Sequence, residues 1–356
     1  MKKQQSPSII TVATTLLLLL LSISTVEGAR RKTYGVVGSD SGSSNLKLFV
    51  FGDSYVDTGN FIHSQSYEPP YGITFPGHPD GRFSDGRVLT DFLASYLKID
   101  SPIPNASRNA SNIQNGINFA YGGTGVFDTH INGPNLTAQI NTFDQLIQQN
   151  IFTKTDLQSS YALVNSGAND YTRHIQNGSF FDIPKFTSTL VNQMATDLKR
   201  FQSLGVGKVA VTLLQPVGCL PALTSIDLHM SCIDLLNKVS ENHNQLLNDA
   251  IKQLNTEAAG KTSFVTLDLY NAFLSSIDTL KKARDGNSSL MNPLEECCVA
   301  NVGHECGDVD DKGEKQYRVC ENPNVAFFWD IVHPTQNGWN AIFPLLQSSI
   351  GQLIQQ

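Results

Sequence analysis

No cysteine occurs in the first 218 residues of this 356-residue chain, and no basic run is longer than Arg30, Arg31 and Lys32. Lys and Arg total 25 against 32 Asp and Glu, for a net charge of -7. A nucleic-acid footprint needs clustered cations, so nucleic acid is excluded as a partner. Long apolar runs are missing too. The largest, from Ile9 to Ile23, spans 15 residues and carries four Thr or Ser, whereas a membrane helix needs about 20 mostly apolar residues. No transmembrane anchor is therefore expected in the mature chain. With 40% hydrophobic and 16% charged residues the composition is that of a globular protein, neither disordered nor fibrous.

The opening segment, residues 1–28, reads as a secretory signal peptide. Lys2 and Lys3 form a positive start, Leu16 to Leu21 an apolar centre, and the small residues around Val26-Glu27-Gly28-Ala29 a cleavage site placed after Gly28. A buried core helix is the rival reading, but a terminal Leu run with no polar face, preceded by lysines, disfavours it. Removal of this segment deletes two Lys and one Glu, leaving 23 cations against 31 anions and a net charge of -8. Residues 29–45 follow as a flexible linker, rich in Gly and Ser from Gly35 to Ser44. No internal repeat and no second linker interrupt the remainder, so 46–356 is expected to be a single domain.

Glycosylation acceptors and cysteines agree with export to the extracellular space, the cell wall being one destination. Asn105, Asn109, Asn135, Asn177 and Asn287 are each followed two residues later by Ser or Thr without an intervening Pro. Cys297, Cys298, Cys306 and Cys320 crowd a Gly- and charge-rich stretch, and six cysteines in an oxidising compartment should pair. Zinc is the rival, but the vicinal Cys297-Cys298 lacks the two-residue gap of a zinc knuckle, so no metal is expected. Cys219 and Cys232, remote from the others, close a short loop containing Pro221 and are paired. Adjacent cysteines rarely bond to each other, which leaves two arrangements open for the other four. The one preferred joins Cys298 to Cys306 and Cys297 to Cys320.

Along the chain, apolar runs alternate with helical patterns. Leu46 to Phe51 ends in Gly52, as a buried strand meeting a loop does; Gly116 to Ala120, Tyr161 to Asn165, Val209 to Leu214 and Phe264 to Leu269 are similar. Phe186, Leu190, Val191, Met194, Leu198 and Phe201 recur at helical steps between Pro184 and Gly205, and Ile233 to Ala259 behaves likewise before Gly260. Strands separated by helices imply an α/β fold with a parallel sheet covered on both faces. Such a sheet places its chemistry at the carboxyl ends of the strands.

Ser54 follows the first strand directly, in a turn tightened by Gly52. Near the other end of the chain, Asp330 and His333 lie one turn apart, so that a carboxylate can hold Nδ1–H and leave Nε2 to take a proton from Ser54. Acyl transfer also needs donors for a developing oxyanion. Gly122 can present an N–H without a side chain in the way, and Asn169, after the Tyr161 to Asn165 strand, can add an amide. Each of these is a common cap or turn residue in isolation. Together they place every part of a serine hydrolase at strand ends or in the terminal loop.

Phe-Gly-Asp-Ser-Tyr-Val-Asp-Thr-Gly-Asn at 51–60, Asn-Phe-Ala-Tyr-Gly-Gly-Thr-Gly at 118–125, Gly-Ala-Asn-Asp at 167–170 and Asp-Ile-Val-His-Pro at 330–334 resemble the four blocks of the GDSL esterase/lipase (SGNH hydrolase) family. Gly81 to Arg87 and the Cys297-Cys298 region resemble its secreted plant branch. The resemblance implies Ser54 as nucleophile, His333 as base, Asp330 as its orienter, and Ser54 N–H, Gly122 N–H and the Asn169 amide as oxyanion hole. It implies a three-layer α/β/α sandwich, flavodoxin-like, with a five-stranded parallel sheet in order 2-1-3-4-5. Two positions depart from the pattern: Tyr55 stands where Leu is usual, and Tyr121 where a small residue is usual. An α/β-hydrolase elbow is disfavoured, because Gly-x-Ser-x-Gly is absent around Ser54 and the acid and base lie three residues apart.

The expected function is that of a secreted serine esterase or lipase using an acyl-enzyme and no cofactor. Its substrates would be small-molecule, lipid or acylated-polysaccharide esters. Acyl transfer to an alcohol at the same site is the alternative within chemistry, and a catalytically silent extracellular binding or defence protein the alternative in kind. Asp57 and Asn60 are expected to brace the Ser54 loop, and Arg82, Asp85 and Arg87 to form an internal network. Phe61, Tyr67, Tyr71 and Phe75 are read either as a substrate wall or as loop packing. His63, His78, His130, His174, His229, His243 and His304 carry no assignment, and oligomeric state is left open.

Overall fold

The computed structural model describes residues 46–109, 112–178, 181–286 and 290–354. The signal peptide and linker read at 1–45, and the acceptor Asn287, lie outside the described residues. In chain order the strands and helices are β1 (Leu48–Gly52), α1 (Leu89–Tyr96), β2 (Ile103–Pro104), β3 (Gly116–Asn118), α2 (Leu136–Gln148), α3 (Lys154–Ser159), β4 (Tyr161–Asn165) and α4 (Ala168–Gln176). Then come α5 (Ile183–Leu204), β5 (Lys208–Thr212), α6 (Pro221–Thr224), α7 (Asp234–Ala258), β6 (Ser263–Leu267), α8 (Leu269–Gly286), β7 (Cys298–Ala300), β8 (Tyr317–Val319) and α9 (Gln336–Ile354).

β1 to β6 form one parallel sheet in the order β2-β3-β1-β4-β5-β6. Successive side chains of a strand point to opposite faces, and both faces of this sheet are covered. Phe49 and Phe51 meet Phe143 of α2, Leu190, Met194 and Phe201 of α5, and Leu247 and Ile251 of α7. Leu48 and Val50 face the other way, onto Leu89 and Leu93 of α1, Phe273 of α8, and Trp339 and Ile342 of α9. Burial on both sides explains why the strands read as continuous apolar runs.

The sheet has six strands where five were expected. The addition is β2, two residues long and half proline, at the edge beside β3. Proline cannot donate to a ladder and is confined to such edges, so no alternation of apolar residues announces it. Without β2 the order is the expected 2-1-3-4-5. Several strands also stop short of their apolar runs, because Phe119, Ala120, Leu213 and Leu214 stay buried beyond the ladder, in the loops at its carboxyl edge.

A third apolar cluster gathers Tyr71, Cys297, Cys298, Cys306, Tyr317 and Trp329 beneath the antiparallel pair β7 and β8. Disulfides join Cys297 to Cys320, Cys298 to Cys306, and Cys219 to Cys232. The first two back the segment before α9, where Cys297 N–H and Cys298 N–H donate to the carbonyls of Phe328 and Trp329.

Gly52 ends β1 at φ 131°, and a Cβ there would overlap the Asn165 carbonyl of β4. Gly52→Ala should therefore destabilise the fold by at least ~3 kcal/mol in urea unfolding, or prevent soluble folding altogether. Wild-type stability would show that the strand end can shift.

Candidate active site

The turn that carries Ser54, the candidate nucleophile, is built from the end of β1. Asp53 N–H donates to the Asn165 carbonyl at 3.0 Å, and the chain then folds back, with Val56 and Asp57 N–H both donating to the Asp53 carbonyl. This lifts Ser54 out of the ladder. Gln139 of α2 clamps the glycine below it: Gly52 N–H donates to Gln139 Oε1 at 2.7 Å, and Gln139 Nε2 donates to the Gly52 carbonyl at 2.9 Å.

Ser54 Oγ lies 2.8 Å from His333 Nε2. His333 Nδ1 lies 2.8 and 2.9 Å from the two oxygens of Asp330. Asp330 Oδ1 also accepts the N–H groups of Val332 and His333, while Oδ2 accepts the Tyr71 hydroxyl at 2.9 Å. Burial works to raise the Asp330 carboxyl, but the His333 charge and these hydrogen bonds outweigh it and hold the group below the usual carboxylate range. The Tyr55 hydroxyl donates to the Val332 carbonyl at 2.9 Å, tying the Ser54 turn to the His333 loop with a bond that a Leu at this position could not make.

The donors named for an oxyanion hole stand in different states. Ser54 N–H has no partner among the described residues. One amide hydrogen of Asn169 goes to the Thr124 carbonyl at 2.9 Å, which leaves the second available. Gly122 N–H is committed to Asp57 Oδ2 at 2.9 Å, whereas the N–H of neighbouring Gly123 has no partner among the described residues.

The family model for GDSL-like lipase/acylhydrolase matches residues 48–346. The chain belongs to this family. The GDSL esterase/lipase At5g03610 of Arabidopsis thaliana is 46% identical over 312 residues, covering 85% of this chain and 86% of that protein. GDSL esterase/lipase At3g09930 of the same plant is 45% identical over 322 residues, covering 86% and 90%. Among solved structures, the acetylxylan esterase Axe2 from Geobacillus stearothermophilus aligns over 86% of this chain and 94% of its own at 14% identity, with a TM-score of 0.39.

In this GDSL family member, loop residues that the sequence grouped together take separate roles. Arg82 forms a paired contact with Asp91 at 2.8 Å and a second with Asp80, and Asp85 accepts Gln336 N–H, so the network is internal. Arg87 stacks on Phe75 at 3.8 Å. Tyr67 donates to the Gly59 carbonyl and Tyr71 to Asp330, which makes both loop packing, while Phe61 stacks on Tyr121 at 4.7 Å. Asn60 Nδ2 bridges the carbonyls of Asn118 and Ala120.

Gln139, Asp53 and Asp170 went unnoticed in the sequence. Gln139 had left a trace, as a polar residue on the apolar stripe of Leu136, Ile140 and Phe143. Burial pushes the Asp53 carboxyl up to about 7 against Tyr55 N–H, the His333 charge and the Asn165 amide. Asp170 accepts the N–H groups of Val126 and Phe127, holding the loop after Gly123 against α4. His243 is fully buried beside Gly167, its Nδ1 3.1 Å from the Tyr171 hydroxyl, and burial lowers it to about 3.

Asp57 braces the site from beneath, accepting N–H groups from Gly59, Asn60, Phe61 and Gly122. Burial nevertheless pushes its carboxyl up from 3.8 to about 6. The folded protein thus holds this proton more tightly than the unfolded chain. The group's contribution to stability is complete below about pH 3.8 and is lost as pH rises through about 6. Asp57→Asn cannot titrate. Urea unfolding at about pH 4 and about pH 7 should therefore show the stability difference moving against the wild type at the higher pH. A difference that stays constant would contradict the assignment.

Proposed function

We propose that this carboxylic ester hydrolase is a secreted serine esterase that works through an acyl-enzyme on Ser54, with residues 46–356 as one catalytic unit. The supporting observation is the unbroken chain of contacts from Asp330 through His333 to Ser54, at 2.8 to 2.9 Å throughout. His333 Nε2 takes the Ser54 proton as Oγ attacks the ester carbonyl carbon. Asp330 holds Nδ1–H and stabilises the imidazolium. The oxyanion is met by Ser54 N–H, the free Asn169 amide hydrogen and the 122–123 loop. There Gly123 supplies the donor, and Gly122 takes part only if Asp57 releases it. His333 then gives its proton to the departing alkoxide. Water, deprotonated in the same way, attacks the acyl carbon and releases Ser54. No step calls for a metal or cofactor.

Export is supported by the three disulfides and by the acceptors. Asn109 and Asn177 are exposed and are the favoured glycosylation sites. Asn105 is half-buried, and Asn135 caps α2 through Ala138 N–H while donating to Asp128. Modification at Asn135 would give up part of that cap.

Steady-state kinetics on a small ester tests the scheme. Asp330→Asn should lower kcat by roughly 10⁴-fold, because the imidazole loses its orienting charge and favours the wrong tautomer. Asn169→Ala should lower kcat by roughly 10²-fold with little change in KM, since an oxyanion donor acts mainly as charge develops. A rise in KM alone would make Asn169 a residue that binds ground-state substrate. Undiminished turnover in Asp330→Asn would remove Asp330 from the mechanism.

A further inference from the structure

Resting on His333 as base and Asp330 as its orienter, we infer that Tyr71 is a positioning residue for the reaction: its hydroxyl fixes the Asp330 carboxylate against the imidazole and takes up part of the charge that the carboxylate presents to it. Tyr71 packs in its loop, but the place where its hydroxyl lands gives it this second role. The donors to Asp330 are of different kinds. Val332 and His333 N–H, which hold Oδ1, belong to the carboxylate's own loop and move with it. His333 Nδ1 is the group to be oriented. The Tyr71 hydroxyl, 2.9 Å from Oδ2, is the one donor among the described residues that reaches the carboxylate from another part of the chain. Without it Oδ2 keeps only the imidazole, and the carboxylate is fixed to its surroundings at one oxygen alone.

Tyr71 has little freedom to put that hydroxyl elsewhere. Its side chain is buried in the apolar cluster of Cys297, Cys298, Cys306 and Trp329. The ring meets that of Trp329, the residue before Asp330, edge-on at 5.9 Å. The backbone is tied on both sides: Tyr71 N–H donates to the Glu68 carbonyl and Gly72 N–H to the Ser84 carbonyl. The Tyr317 hydroxyl adds a bond to the Pro69 carbonyl at 3.1 Å. Burial and the neighbouring Asp330 charge push the Tyr71 hydroxyl well above its ordinary range, so it keeps its proton and remains a donor wherever a histidine titrates.

A donor bonded to a carboxylate favours its charged form and makes it a weaker partner for a neighbouring cation. Tyr71 therefore tempers the pull of Asp330 on the imidazolium. Removing the hydroxyl returns that charge to His333. The imidazole then keeps its proton to higher pH, and the neutral form that acts as base is reached later. Other ionisable groups act on this pair: Asp53 and Tyr55 from the Ser54 turn, Glu305 from the disulfide lobe, and Glu296 ahead of β7. Glu305 and Asp308 act on Tyr71 itself. All of them are retained when only the Tyr71 hydroxyl is altered, so opposite movements produced by weakening and strengthening that donor do not come from them.

The test is the pH dependence of kcat/KM of the full-length protein on phenyl acetate, a substrate that does not itself titrate. In Tyr71→Phe, which keeps the ring, the rising limb should move to higher pH by roughly half a unit. Plateau kcat should fall roughly 10-fold with KM little changed, because a loosened Asp330 orients His333 less well. A ring-fluorinated tyrosine in place of Tyr71 keeps the packing and donates more strongly, so its limb should move to lower pH; this variant carries the test if Tyr71→Phe does not fold. A tyrosine of merely structural importance would change stability and leave the limb in place. An unmoved limb in the folded variants, a movement against these directions, or a Tyr71→Phe plateau equal to that of the wild type would overturn the role of Tyr71 alone. Turnover and limb both retained in His333→Ala would overturn the base, and this inference with it.

Discussion

The site depends on how the central strand ends. Gly52 leaves the ladder in a conformation closed to other residues, pressed against the Asn165 carbonyl, and its peptide groups are held by Gln139 and by Tyr121 N–H. From that point Ser54 turns upward, the β3 loop carrying Gly122 and Gly123 runs alongside, and α4 brings in Asn169. Buried peptide groups that lose a partner cost about 1–3 kcal/mol each. The strand end is therefore a stiff foundation, and a movement there would displace Ser54 and the proposed oxyanion donors together.

The proposed base, His333, comes from the opposite end of the chain. His333 and Asp330 sit on a segment held on one side by the β7 backbone and its disulfides and on the other by α9, and Tyr71 and Tyr55 pin it to the N-terminal loops. Those two tyrosine bonds span 259 and 277 residues. The disulfide-backed lobe holds the segment that leads to His333, because Cys297 and Cys298 N–H donate to the Phe328 and Trp329 carbonyls. Burial acts throughout. It raises Asp53, Asp57 and Tyr71, whose hydroxyl bonds Asp330, but fails to raise Asp330 itself, because that carboxylate alone among them faces the imidazole through two short contacts.

Much of this was legible in the sequence because its signal is local or periodic. The stripes of α5 and α7 follow a 3.6-residue repeat, and β1 and β4 are unbroken apolar runs. Ser54, Asp330 and His333 stood out because three residue types with one chemistry fell where a parallel sheet keeps its ligands. What stayed hidden is set by contacts distant in sequence. β2 is too short to show a period. Tyr71 looked like any loop aromatic until the fold put its hydroxyl on Asp330. The Gly122-Gly123 pair shows the same limit most sharply, since adjacent glycines are equivalent in sequence and only the Asp57 carboxylate, 65 residues away, distinguishes their N–H groups.

The central claim is that one serine carries the acyl group and one histidine puts it there. Rapid acid quenching of turnover on an acetyl ester, followed by intact-mass measurement and peptide mapping, tests it most directly. A single acetyl group on Ser54, present in the wild type and lost in His333→Ala, is the result required. An acetyl group on another residue, or one that forms equally well without His333, would contradict it.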